Sequence, residues 1–108
     1  MTLVYLLSDI QRAAVVRATL ACLARAEEIF QRAFPAIPVR FDLRGRAAGM
    51  YRVQRGTRQI RYNPHIFAKY FADSLAETVP HEVAHYVTDV LHGLRKGRPH
   101  GPEWRAIA

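Results

Sequence analysis

Residues 74–93 have the sequence SLAETVPHEVAHYVTDVLHG, which is the most informative stretch of the chain. Ser74, followed three residues later by Glu77, has the spacing of a capping box, and apolar residues recur behind it at helical intervals. Gly93 is suited to the end of a helix. We therefore expect a helix from about 75 to 92. Pro80 removes one backbone donor and crowds the preceding turn, so a kink is expected there.

The same stretch contains His81-Glu82-Val83-Ala84-His85, an H-E-x-x-H pattern. Residues four apart lie on one face of a helix, about 6 Å apart along its axis, so both imidazoles can reach one ion. A tetrahedral Zn²⁺ takes histidine nitrogens at about 2.0–2.1 Å and leaves positions for a third ligand and a water molecule. Glu82 is displaced by one residue and can reach that water. We therefore predict that His81 and His85 bind Zn²⁺ and that Glu82 is a general base.

Three downstream residues are candidates for the third ligand: His92, His100 and Glu103. His92 shares the helix face of the pair but lies ~16 Å along the axis from the first histidine, so it is rejected. His100 follows a turn, which lets the chain reverse and return beside the helix. Glu103 could return in the same way and complete a His₂Glu site. Both stay open, with His100 preferred, and a solvent-facing or structural role is expected for His65.

The residues before this stretch predict one long helix and a small sheet. Ser8 and Gln11 fit a capping box, and the apolar spacing behind them indicates a helix over about 9–33, which the prolines at 35 and 38 stop. Asn63-Pro64 is typical of the start of a second helix. A hairpin turn is predicted at 55–57, and the last residues, 103–108, resemble the first turns of another helix. Alternating apolar and polar residues predict short strands at 39–43, 50–54 and 59–62.

The composition limits the possible classes of protein. A chain of 108 residues is long enough to bury one core, so a single domain is expected. Cys22 is the only cysteine, which excludes a disulfide framework and a cysteine zinc cluster. The apolar start lacks the features of a signal peptide, and a reducing cytoplasm is the expected compartment. The net charge of +7 favours polyanions such as nucleic acid as partners.

At the level of motifs, the chain resembles the SprT-like zinc metallopeptidases, which include the Spartan-type proteases. The resemblance rests on ETVPHEVAH at 77–85 followed by PHGPEW at 99–104. It is supported upstream by FDLRGRAAG at 41–49 and IRYN at 60–63, and it extends from about Phe34 to Trp104. The two motifs in this order are far more specific than H-E-x-x-H alone.

The resemblance implies both a ligand set and a fold. The histidine of the family's H-G-x-E-W/F segment is its third zinc ligand, and this position is His100 here. The implied fold is α+β, a zincin-like minimal domain with a long N-terminal helix and a three-stranded sheet. An active-site helix carrying H-E-x-x-H and a short C-terminal helix start complete it. Substrate is expected to bind as an extended strand along the edge of the sheet.

The resemblance also implies an activity. We expect a zinc metalloendopeptidase that hydrolyses peptide bonds in proteins, including proteins bound or crosslinked to DNA. The basic residues Arg95, Lys96 and Arg98 are expected to contribute to DNA contact. Bacterial members commonly continue into a Cys-rich zinc ribbon, for which this sequence has no cysteines, so residues 1–108 are expected to be a catalytic core. The alternative is a DNA-binding module in which the zinc is purely structural and no protease activity is present.

Overall fold

The computed structural model describes residues 6–93, so the predictions for 94–108 lie outside the described part of the chain. It is an α+β fold with a long helix and a three-stranded sheet, as expected. A π-helical turn occupies Ser74–Thr78. The other elements are α1 (Asp9–Phe30), β1 (Val39–Arg40), β2 (Gly49–Gln54), β3 (Thr57–Tyr62), α2 (Pro64–Lys69), α3 (Phe71–Asp73) and α4 (Val79–His92).

Helix α1 begins with the predicted capping box. The Ser8 side chain accepts from the Gln11 N–H at 3.1 Å, and the Gln11 side chain accepts from the Ser8 N–H at 3.0 Å. The helix ends at Phe30 rather than near residue 33, because Gln31 adopts a left-handed conformation with φ of 53°. A left-handed residue at this position is a common helix stop.

The sheet has the strand order β1-β3-β2, so β3 lies in the middle and β2 forms an edge. Strand β1 is parallel to β3, and β2 is antiparallel to it. Arg55 and Gly56 connect β2 to β3 and both have positive φ, at 52° and 79°. Two such residues form the tight turn whose twist suits a hairpin. The predicted turn is confirmed, whereas β1 is shorter than the predicted strand 39–43.

Asn63 joins the sheet to α2 and organises the loop that leads into β2. Its side-chain oxygen accepts from the N–H groups of His65 and Ile66, which confirms the predicted helix cap. Its amide nitrogen donates to the carbonyls of Gly45 and Ala47 at 3.0 and 3.2 Å. One buried side chain therefore fixes both the start of α2 and the path of the chain toward Gly49.

The chain from Phe71 to His92 is helical, and the capping box predicted at Ser74 is wrong. Ser74 has φ of −65° and ψ of −40°, the angles of a helix interior, because α3 continues into the π-helical turn without a break. The Val79 N–H donates to the carbonyl of Ser74, five residues back. Pro80 follows and has no N–H to donate. A π turn is one way in which a helix accommodates an interrupted hydrogen-bond ladder. It lies just before Pro80, where a kink was expected, and α4 is α-helical from Val79 onward.

Helix α4 packs against α1 and the sheet, and this contact forms the core. Among residues 6–93, no helix is long and apolar enough to cross a membrane. The core side chains are largely aliphatic and aromatic and come from every layer: Leu7, Val15, Leu23, Ala26, Phe34, Ile60, Tyr62, Phe67, Val79, Val83, Ala84, Tyr86 and Val87.

Candidate metal centre

The two histidines of the H-E-x-x-H sequence meet on the first turns of α4. Their Nε2 atoms are 3.0 Å apart, and their rings stand at 76° to each other with centroids 4.7 Å apart. Two nitrogens bound to one tetrahedral zinc at 2.0–2.1 Å stand ~3.3 Å apart. The separation of His81 and His85 therefore has to open by only a few tenths of an ångström to hold zinc. Paired imidazoles are also a suitable donor set for this metal.

The described chain supplies two of the predicted ligands. Within residues 6–93, no group of three His, Cys, Asp or Glu side chains is arranged to hold a metal ion. His100 and Glu103, the two candidates for the third ligand, lie outside the described residues. The same is true of Arg95, Lys96 and Arg98. The prediction of His100 as a ligand therefore stays a prediction.

The other two histidines of residues 6–93 lie at the end of α4 and at the start of α2. His92 is the last residue of α4, which is an unbroken α-helix from Val79 onward, so the distance that excluded it as a third ligand stands. His65 is exposed in the first turn of α2, as expected.

The side chain of Glu82 lies between α4, which carries it, and strand β2 of the sheet. It is only 6% exposed, and it lies against the backbone of β2 at Gly49. Burial raises the pKa of Glu82 to about 7, and the nearby backbone N–H of Tyr51 in β2 opposes part of this rise. Glu82 and His81 both line an open cleft of about 240 Å³, together with Ala48, Gly49, Glu77 and Thr78. A carboxylate with a pKa near neutrality beside a cleft can accept and return a proton at physiological pH.

The raised pKa of Glu82 predicts a pH-dependent stability. A carboxyl that binds its proton more tightly when folded contributes stability at low pH that is lost as the pH rises from about 4.5 to about 7. We expect the metal-free parent to lose up to about 3 kcal/mol of unfolding free energy relative to Glu82→Gln over this range. Urea unfolding of both proteins at pH 4 and pH 8 measures it. A stability difference that is the same at both pH values would contradict the raised pKa.

Gly49, the first residue of β2, allows the sheet to approach the helix closely. A Cβ atom at this position would lie 2.8 Å from Cγ2 of Thr78 and 2.9 Å from Cγ of Glu82. These distances are shorter than van der Waals contact, so a larger residue has to push the strand or Glu82 aside. In the sequence, Gly49 is marked only as the last residue of the segment FDLRGRAAG at 41–49. Its close neighbours Thr78 and Glu82 are far away along the chain.

This contact predicts the effect of Gly49→Ala. The added methyl group is expected to lower the unfolding free energy by about 1–3 kcal/mol through overpacking. Thr78→Ser removes the γ-methyl that lies nearest, so Gly49→Ala should cost less when it is combined with Thr78→Ser. Denaturant unfolding of the two single variants and the double variant measures this. Equal costs of Gly49→Ala with and without Thr78→Ser would show that the Thr78 methyl is not the obstacle.

Sequence reasoning missed a buried polar network beside this site. Asp89 accepts a hydrogen bond from the Tyr51 hydroxyl at 2.5 Å and from Nε of Arg58 at 2.9 Å, and it is 6% exposed. Burial next to the Asp89 carboxylate raises the pKa of Tyr51 well above its usual range, which keeps the phenol protonated. The available signal was an acidic residue among the apolar residues of α4, since a buried charge requires a partner.

Comparison with known proteins identifies the family of this chain. The model of the SprT-like family matches residues 19–108. The chain belongs to the SprT-like family. It is 42% identical over 86 residues to a Vibrio parahaemolyticus protein named SprT. The aligned stretch covers 80% of this chain and 50% of that protein.

Other relatives carry the same name. Protein SprT of Pseudomonas aeruginosa is 42% identical over 87 residues, which is 81% of this chain and 51% of the relative. Protein SprT of Shewanella oneidensis is 41% identical over 86 residues, 80% of this chain and 53% of the relative. The chain thus spans about half the length of these curated relatives. No solved structure shows significant similarity to it.

Proposed function

We propose that this SprT-like chain is the catalytic core of a zinc metallopeptidase of the zincin type, with α4 as its active-site helix. The observation that carries the proposal is the pair of imidazoles with Nε2 atoms 3.0 Å apart, adjacent in sequence to a buried carboxylate. His81, His85 and, from the returning chain, His100 would hold the metal. Zinc held there would lower the pKa of a water molecule and polarise the scissile carbonyl.

Glu82 supplies the proton transfers in this proposal. Its carboxylate takes the proton of the attacking water and passes it to the leaving amine. Burial disfavours the charged carboxylate and therefore makes it a stronger proton acceptor, which suits the first of these steps. The close approach of Gly49 holds the carboxylate at the wall of the cleft.

The edge strand β2 offers a place for the polypeptide substrate. Strand β2 pairs with β3 on one side only, and its first residue lines the cleft beside His81 and Glu82. An extended peptide that adds to a sheet edge makes backbone hydrogen bonds that do not depend on its sequence. This arrangement supports an endopeptidase acting on extended or unfolded segments of proteins.

The charge of the sheet supports DNA as a partner. Between residues 39 and 62 the only acidic residue is Asp42, whereas arginine recurs throughout. Arg61 is paired with Asp42 at 2.8 Å, and Arg58 is paired with Asp89 of α4. The remaining arginines of this segment are exposed and suit contact with phosphates: Arg40, Arg44, Arg46, Arg52 and Arg55. Arg95, Lys96 and Arg98 would add to the same positive field.

A protease assay tests the proposed function. Zinc-loaded protein is incubated with casein and with a DNA-binding protein, each with and without single-stranded DNA, and with and without a chelator. We expect cleavage that the chelator abolishes, with DNA increasing cleavage of the DNA-bound substrate. Salt-sensitive DNA binding with no cleavage under any of these conditions would instead favour the alternative, a DNA-binding module with a structural zinc.

A further inference from the structure

The peptide groups of β2 alternate between its partner strand and its open edge. The Asn63 N–H donates to the Ala48 carbonyl at 2.8 Å, and Met50 pairs with Arg61 in the antiparallel register. In an antiparallel pair this sets Met50 as a residue bonded to β3, so the peptide groups of Gly49 and Tyr51 point away from β3. The backbone N–H of Tyr51 is therefore an edge group, and the Glu82 side chain lies against the same strand at Gly49, two residues away.

The side chain of Tyr51 reaches a second point on α4. Its hydroxyl donates to Asp89, which lies seven residues after Glu82. Seven residues are nearly two helical turns, so Glu82 and Asp89 lie on the same face about 10 Å apart along the axis. Strand β2 thus touches α4 at two points, with Gly49 against Glu82 and the phenol of Tyr51 at Asp89.

Arg58 makes the second anchor possible. A carboxylate as buried as Asp89 is costly unless it is paired and hydrogen-bonded. Nε of Arg58 contacts the same Asp89 oxygen as the Tyr51 hydroxyl, at 2.9 Å, while the Arg58 side chain stays 44% exposed. Strands β2 and β3 therefore each contribute one donor to Asp89, which fixes the position of the sheet along α4.

We propose that Tyr51 is a positioning residue for Glu82. It acts through the Asp89–Arg58 pair, which fixes the position of β2 along the axis of α4. The proposal rests on the proposed protease function for its kinetic consequence. Without the phenol anchor, β2 can slide by a fraction of an ångström, and its backbone at Gly49 no longer keeps Glu82 aimed at the cleft. Small misplacements of a reacting group are costly in rate.

Tyr51→Phe is the most direct test, because the aromatic ring still packs on Tyr86, whose ring centroid is 6.0 Å away. We expect kcat to fall about tenfold, with KM changed less than twofold and zinc content unchanged, since the misplacement affects the proton transfer rather than binding. The matched control is Tyr70→Phe, which removes a hydroxyl from a tyrosine that is 52% exposed at the end of α2.

A double variant shows whether Tyr51 acts through Asp89. Asp89→Ala removes the acceptor of the phenol, so Tyr51→Phe added to it should lower kcat no further. Fully additive effects of the two replacements on kcat would overturn this part of the proposal. If Asp89→Ala fails to fold, Asp89→Leu takes its place in the cycle, because leucine has a similar shape and no hydrogen-bond acceptor.

Amide hydrogen exchange provides a readout that does not depend on activity. The N–H of residue 51 should exchange at least about tenfold faster in Tyr51→Phe than in the parent, because β2 separates from α4 more often once the bond to Asp89 is lost. Unchanged exchange at residue 51, with kcat equal to that of the Tyr70→Phe control, would overturn the proposal even if stability falls. If the parent protein cleaves nothing, the proposed function fails, and the exchange rate alone still decides whether Tyr51 positions Glu82.

Discussion

Replacing Glu82 with glutamine is expected to lower kcat by about 10²–10⁴-fold, the usual contribution of a general base. Glutamine has nearly the same shape, so it can occupy the space against Gly49. It cannot accept a proton, which removes the step assigned to the carboxylate. Zinc content and the far-UV circular dichroism spectrum should match those of the parent, because Glu82 is not assigned as a ligand. Initial rates on casein at saturating substrate measure the effect.

The matched control for this experiment is Glu77→Gln. Glu77 lines the same cleft but is exposed, so it shares the charge of Glu82 without its burial. We expect its kcat to stay within a few fold of the parent value. The assignment of Glu82 is wrong if Glu82→Gln cleaves casein as well as the parent does, or if the two glutamine variants lose equal activity.

Replacing His81 or His85 with alanine is expected to abolish zinc binding. Each replacement removes one of the three proposed zinc ligands. The affinity for zinc should therefore fall by more than the roughly 10–100-fold that follows loss of a residue that only hydrogen-bonds a ligand. The zinc content of protein dialysed against a weak chelator should drop from about one ion per chain to a trace. Cleavage should fall with it.

The other histidines of the described chain are internal controls for this prediction. His65→Ala changes an exposed side chain on α2, and His92→Ala changes the far end of α4. Both should retain about one zinc per chain. Elemental analysis of all four variants in parallel measures the outcome. Zinc retained by the His81 and His85 variants, or lost equally from His65→Ala, would place the metal elsewhere.

Local signals in the sequence predicted the helices and the histidine pair. The convergence of His81 and His85 follows from helical spacing alone, and the structure confirms that the two rings meet. The caps at Ser8 and Asn63 were predictable for the same reason, since a cap joins residues two or three positions apart. The prediction of a helix cap at Ser74 was wrong because the chain before Ser74 is already helical. The spacing of Ser74 and Glu77 does not reveal this preceding helix.

Contacts between residues far apart in the chain could not be predicted from the sequence. The approach of Gly49 to Glu82 and the bond from Tyr51 to Asp89 join a strand to a helix more than 30 positions away. Their existence depends on the register of β2 against β3 and on how α4 packs beneath the sheet. The short length of β1 has the same origin, because a strand extends only as far as its partner continues beside it.

The location of zinc in a crystal of the full chain tests the central claim most directly. Anomalous scattering at the zinc edge should give one peak at about 2.0–2.1 Å from Nε2 of both His81 and His85, with an imidazole of the returning chain as the third protein ligand. That ligand is predicted to be His100. A peak remote from the pair, or a zinc-saturated crystal with no peak beside it, would contradict the account.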